Sequence, residues 1–234
     1  MSERPEEWGA MFWDIGGVIL AHDSVGRAHE AFVDSLVAEL ELSVEPEQAI
    51  ETWRGAVGRY FREREGTEFR SAEEAYRRGV DAVAGESVAQ STWYSVLESA
   101  FLEHVEPEPD AISTVQETAS REIHLGIVSD IDQREADMIL AEFGLTSAFD
   151  SVTTSEEVGR TKPDQQMFET ALAKASVSPD RALMIGDRYS HDMKGGADAG
   201  MWTIAYGADD GPAVDFRVTE LPDVLEIVDG TRGV

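Results

Sequence analysis

From Pro107 onward the chain alternates short apolar runs with amphipathic segments, and this alternation constrains the fold more than any other feature. The runs "IHLGIVS" (123–129), "FDSVT" (149–153), "ALMIGD" (182–187) and "WTIAY" (202–206) read as strands. Helices are expected between and after them, over 110–120, 133–143 (stopped by Gly144), 164–175, 191–199 and near 221–228. Strand–helix alternation of this kind predicts an α/β fold, a Rossmann-like doubly wound parallel sheet. The run "AMFWDI" (10–15) has the same buried-strand texture, so it joins this set as the first strand.

The intervening stretch has a different period. Ala28, Phe32, Leu36 and Leu40 fall four apart, and Ile50, Trp53, Val57 and Phe61 follow a similar spacing. Ser71 and Glu74 form a capping box, and Trp93, Leu97 and Phe101 mark a fourth helix. Residues 22–105 are therefore expected to be an inserted helical bundle, with 1–21 and 106–234 forming the core.

Charge bounds the partners. The 234 residues carry 47 acids against 19 basic side chains, a formal net charge of −28. Such a surface repels nucleic acid and anionic membranes, so neither is an expected partner. Only Lys162, Lys174 and Lys194 supply lysine. Many acids with few lysines suit a protein kept soluble at high salt, and a halophilic, cytoplasmic setting is expected. The opening "MSERPEEW" lacks the basic and apolar regions of a secretory signal, and no apolar run is long enough to cross a membrane. Cys is absent, which excludes disulfides and thiolate chemistry.

Ligands of open α/β sheets bind beyond the carboxyl ends of the strands. The polar residues expected there are Asp14, Ser129, Asp130 and Asp187, with Lys162 just before a helix start. A carboxylate can serve as a nucleophile toward phosphorus when lysine, backbone N–H groups and a divalent cation neutralise the phosphoryl oxygens. Asp187 and Asp192, at spacing D-x₄-D, suit a cation that prefers oxygen ligands.

With these residues in place, the chain resembles the haloacid dehalogenase superfamily, in the branch with a helical cap inserted after the first motif. "FWDIGGVI" resembles the first motif, with Asp14 at the nucleophile position, and "IHLGIVSD" the second, with Ser129 as the phosphate-binding hydroxyl. "VGRTKPDQQMF" resembles the third through Lys162, and "ALMIGDRYSHDMKGGADAGM" the fourth. The resemblance implies a Mg²⁺-dependent phosphatase acting on a small phosphomonoester, such as a sugar phosphate, through an aspartyl phosphate on Asp14. Ser129 and Lys162 would hold the phosphoryl group, with Gly16, Gly17 and Asp130 on the substrate side. Mg²⁺ would be held by the Asp14 carboxylate, the Gly16 carbonyl, Asp187 and Asp192. A monomer or homodimer is expected.

Gly16 departs from the family pattern. Phosphatases of the family usually place Asp there to protonate the leaving alcohol, help typically worth ~10²–10⁴ in rate. His22, Asp23 and His191 are the substitutes the sequence offers. Gly16 also admits two alternatives, a metal-free 2-haloacid dehalogenase and a weakly active phospho-ligand binder. Asp187 favours the metal-dependent reading, because an uncompensated extra carboxylate beside Asp14 would repel an anionic haloacid. Asp130 is expected to cap the following helix or to support the site from behind. Trp53 and Trp93 are expected in the core, and Arg59, Arg62 and Arg64 as solvated charges.

Overall fold

A computed structural model describes residues 4–231. The outermost residues of the expected core, 1–3 and 232–234, lie outside the described residues. The described chain divides into two compact units, 4–20 with 107–231, and 21–106.

The first unit is built on a six-stranded sheet in the order β3-β2-β1-β4-β5-β6. Its strands are β1 (Ala10–Trp13), β2 (His124–Ser129), β3 (Ser151–Thr154), β4 (Ala182–Gly186), β5 (Trp202–Tyr206) and β6 (Phe216–Val218). Every pairing is parallel. All four β1 residues are buried, as a central strand covered on both faces requires. Ala10 registers with His124 on one side and Ala182 on the other, so β1 sits at the middle of the sheet. The helices are α5 (Ala111–Ala119), α6 (Gln133–Glu142), α7 (Ser155–Val158), α8 (Gln165–Ala175), α9 (Lys194–Asp198) and α10 (Val224–Val228). Phe12, Val128, Met167, Phe168, Ala171 and Met184 share one apolar cluster, which seats α8 against the sheet.

Two local expectations are corrected. The strand expected over 10–15 stops at Trp13, because the chain folds back and the Ile15 carbonyl accepts the N–H groups of Val18, Ile19 and Leu20. The helix expected over 191–199 begins instead as a π-helical turn at Tyr189–Met193 and becomes α-helical only at Lys194. The short strand β6 and the single-turn helix α7 carried too few periodic residues to be anticipated.

The second unit contains α1 (His22–Glu39), α2 (Pro46–Arg62), α3 (Ala72–Ala84) and α4 (Gln90–His104). Phe32, Leu36, Trp53, Val80, Trp93 and Leu97 form its core. The Ser71 side chain accepts the Glu74 N–H at 3.3 Å, capping α3. Gly79 lets α2 and α3 approach, since a Cβ there would collide with the Trp53 ring. The apolar stripe of α2 leaves the core in its last turn, where Phe61 is 36% exposed. Arg59 and Arg62 are exposed and Arg64 is partly so. No described helix is long and apolar enough to cross a membrane.

Candidate active site

The carboxyl ends of β1, β2 and β4 gather the polar residues of the first unit. Asp14 directly follows β1, and its N–H donates to the Ile185 carbonyl of β4 at 3.1 Å. Its side chain is 8% exposed, and Oδ1 accepts the Ile15 N–H at 2.8 Å. Ser129 ends β2 and is buried.

Lys162 is the hub. Its ammonium is 2.9 Å from Asp14 Oδ2 and 2.6 Å from Asp192 Oδ1, and it donates to the Val128 carbonyl at 3.0 Å. The side chain is almost wholly buried. Burial alone would depress its pKa, but Asp14, Asp192 and Asp130 more than reverse this and hold it above the usual lysine range. The ammonium is therefore a fixed positive charge.

Asp192 lies fully buried in the π-helical turn after β4, where its Oδ2 accepts the Arg188 N–H at 2.9 Å. Gly186 makes room for it, because a Cβ at that position would overlap the Asp192 side chain. Burial raises the Asp192 pKa; Lys162 opposes the rise and Asp14 adds to it. Carboxylate oxygens of Asp14, Asp187 and Asp192 lie within 4.8 Å of one another. Three carboxylates converging beside one lysine leave an excess of negative charge. The all-oxygen donor set fits a hard divalent cation such as Mg²⁺.

The second-motif acid behaves differently from the expected helix cap. Helix α6 begins at Gln133, with Asp132 at its N-cap, too far along for Asp130 to cap it. Asp130 Oδ1 instead accepts the Lys162 backbone N–H at 2.7 Å, pinning the segment that delivers the lysine. Burial raises the Asp130 pKa, partly offset by Lys162, and the Arg188 guanidinium also acts to lower it.

Two further expectations are corrected. Gly17, which the resemblance puts on the substrate side, donates its N–H to the Leu20 carbonyl at 2.8 Å and so spends it on closing the turn. What Gly17 supplies is a φ of 70°, which residues with a Cβ adopt poorly. His191 has both ring nitrogens engaged locally, Nε2 by Arg188 Nη2 at 2.8 Å and Nδ1 by Ser190 Oγ at 2.9 Å. That pairing speaks against it as the acid missing at position 16. His22 and Asp23 are exposed at the start of α1 in the other unit. The Lys162 bridge between Asp14 and Asp192 had no local signal, because its partners lie far apart in sequence.

A fold and a site of this kind define a class of hydrolases. The chain belongs to the haloacid dehalogenase-like hydrolase family, whose model matches residues 34–206. That match begins after β1 and takes in Lys162, Asp187 and Asp192.

The chain is 37% identical over 101 residues to a glyceraldehyde 3-phosphate phosphatase of Methanothermobacter thermautotrophicus, covering 42% of this chain and 43% of that protein. It is 31% identical over 125 residues to a ribulose-1,5-bisphosphate 5-phosphatase of Halopiger xanaduensis, covering 53% and 51%. It thus spans about half, or less, of the length of these curated relatives. Among solved structures, a HAD phosphatase from Thermococcus onnurineus superposes with a TM-score of 0.71 at 22% identity, over 96% of this chain and all of that one. A 2-haloacid dehalogenase from Pseudomonas syringae superposes with a TM-score of 0.70 at 21% identity, over the same shares. Likeness at that identity establishes the fold.

Proposed function

We propose that the protein is a Mg²⁺-dependent phosphatase of small phosphomonoesters, sugar phosphates among them. The observation that carries this reading is the cluster of buried Asp14, Lys162 and Asp192 with half-buried Asp187 at the carboxyl edge of the parallel sheet. The names of the two matched relatives point to the same substrate class.

In this reading the Asp14 carboxylate attacks phosphorus. A P–O bond forms to Asp14 as the bond to the leaving alcohol breaks, giving an aspartyl phosphate. Water then attacks phosphorus, freeing Asp14 and inorganic phosphate. Lys162 and the Ser129 hydroxyl hold phosphoryl oxygens, and the fixed charge on Lys162 stabilises negative charge as it builds. Asp14, Asp187, Asp192 and the Gly16 carbonyl would hold the cation, which when bound neutralises phosphoryl oxygens. Asp130 keeps Lys162 in place from behind. Gly16 offers no side chain for proton transfer, so substrates with good leaving groups suit the site best. The helical unit is the cap that the family resemblance implies. The acidic surface suits a cytoplasm of high salt, and a purified protein equally well folded without salt would count against that setting.

The test is a phosphate-ester screen at high salt with and without Mg²⁺, comparing wild type with Asp14→Asn. Metal-dependent phosphate release that falls by ~10⁴-fold in Asp14→Asn is expected. Halide release from 2-chloropropionate without metal would overturn the reading in favour of a dehalogenase. Release unaffected by Asp14→Asn would remove Asp14 as nucleophile.

A further inference from the structure

Among the described residues, Arg59, Arg62, Arg64, Arg181 and Arg188 are in no salt bridge, and of these Arg188 is the one at the sheet edge of the candidate site. It directly follows Asp187 at the carboxyl end of β4, and its backbone N–H is fixed on Asp192 Oδ2. The side chain is exposed. Arg27, Arg54, Arg77, Arg78 and Arg121 each pair with a carboxylate. Among the described residues, no salt bridge involves Arg188, although acids outnumber bases by more than two to one.

Its guanidinium goes to a neutral partner instead. Nη2 lies 2.8 Å from His191 Nε2, and arginine can only donate, so Nε2 accepts. The ring proton then sits on Nδ1, which donates to Ser190 Oγ at 2.9 Å. Ser190 and His191 hold the guanidinium without neutralising it. Its charge reaches the Asp130 carboxyl, which follows β2 on the same sheet edge. The buried Lys162 lies against Asp14 and Asp192, where it serves the transferred phosphoryl group. Arg188 remains at the rim with its cationic fork unmatched by any anion.

We propose that Arg188 is a specificity residue that binds a second anionic group of the substrate, a carboxylate or a second phosphate, while the transferred phosphoryl group sits over Asp14. This inference rests on the phosphatase reading and deepens it. A planar guanidinium suits either oxyanion, since both accept two parallel N–H bonds. Four carboxylates line the same sheet edge, so a substrate with two anionic ends needs a cation beyond Lys162 and the metal. The substrate class selected is a small phosphomonoester with a second negative charge.

Non-hydrolysable phosphonates of matched size test this by direct binding, without turnover. Propylphosphonate has a neutral tail, 3-phosphonopropionate a carboxylate tail, and propane-1,3-bisphosphonate a second phosphonate. Calorimetry on the full chain with Mg²⁺ at fixed ionic strength should show at least one two-anion ligand binding about tenfold tighter than propylphosphonate. Which of the two is preferred identifies the second anion. Arg188→Gln should erase most of that ratio, and Arg188→Lys, which keeps the charge but not the fork, should retain part of it. No preference in the wild type, or an equal loss for all three ligands in Arg188→Gln, overturns the proposal. Failure of every phosphomonoester to release phosphate would instead sink the phosphatase reading, and the binding ratio would still be read.

Discussion

The two units both carry ion pairs at the surface, but only the sheet unit, among the described residues, also buries them. In the sheet unit, Asp14, Lys162 and Asp192 lie out of water and touch one another. In the helical unit, charges pair on the surface: Arg77 brackets Glu74 and Asp81 at 2.7 and 2.6 Å, and Arg54 reaches Glu30 at 2.7 Å. Its interior is aromatic, and burial with Arg54 nearby pushes its His29 down to about 4, keeping that ring uncharged near neutrality. Buried ion pairs are poor stabilisers compared with apolar packing, so their presence in one unit alone points to chemistry. The helical unit carries its charge where charge contributes little to folding.

The sharpest way to break this contrast is Lys162→Met. It leaves Asp14 and Asp192 buried without their cation, and should cost about 3–5 kcal/mol in metal-free protein by denaturant unfolding. A loss below 1 kcal/mol would mean that the cluster is solvated and the contrast false. Gly16→Asp probes the same edge through rate. Gly16 is not among the glycines with positive φ, so a side chain there meets no left-handed backbone strain. Turnover of alkyl phosphates should rise by ~10²-fold if proton transfer is the missing element. No gain would mean that another group already moves the proton.

Two glycines compare the units directly. Gly186→Ala would push on Asp192 and Gly79→Ala on Trp53. Each overpacking should cost about 1–3 kcal/mol, with roughly 1 kcal/mol recovered at Gly79 from better helix propensity. Only Gly186→Ala should also abolish a Mg²⁺-dependent rise in melting temperature, which a thermal scan with and without the metal would reveal.

His29 gives a smaller, pH-dependent effect. Its folded pKa of about 4 lies below the ordinary histidine value of 6.5, so the unfolded chain protonates first as pH falls. Its stabilisation is complete above pH 6.5 and is lost between 6.5 and 4, by at most about 1.4 kcal/mol per pH unit. His29→Leu should flatten stability across that window, and an unchanged slope would place the titrating group elsewhere. Smallest of all, Arg77→Ala should cost under about 1 kcal/mol, despite its two ion pairs, because that side chain is 42% exposed.

The fold class was readable because strand–helix alternation is a local pattern repeated along the core. Strand-end positions for Ser129 and Asp187 followed from the same pattern. The tertiary joins were not readable. Nothing near Lys162 announces that its ammonium spans Asp14 and Asp192, for the contact closes only when β1, the segment before α8 and the turn after β4 assemble. Residues 191–193 read as ordinary helix although they belong to the π-helical turn Tyr189–Met193, because residue spacing does not register a carboxylate folding back onto the Arg188 N–H. Strand β6 has three residues with Arg217 exposed between Phe216 and Val218, too short to show a period.

The position of β1 has a consequence for how the chain assembles itself. The strand at the middle of the sheet is the first to be synthesised, yet its neighbours begin at His124 and Ala182. In between, residues 21–106 form a unit whose contacts are mostly their own. Local contacts form quickly and distant parallel pairings slowly. The helical unit can therefore organise while β1 waits, apolar on both faces, for more than a hundred residues. Asp14 takes its place between partners only at the end of that wait, so the carboxyl edge of the sheet is among the last features of the molecule to exist.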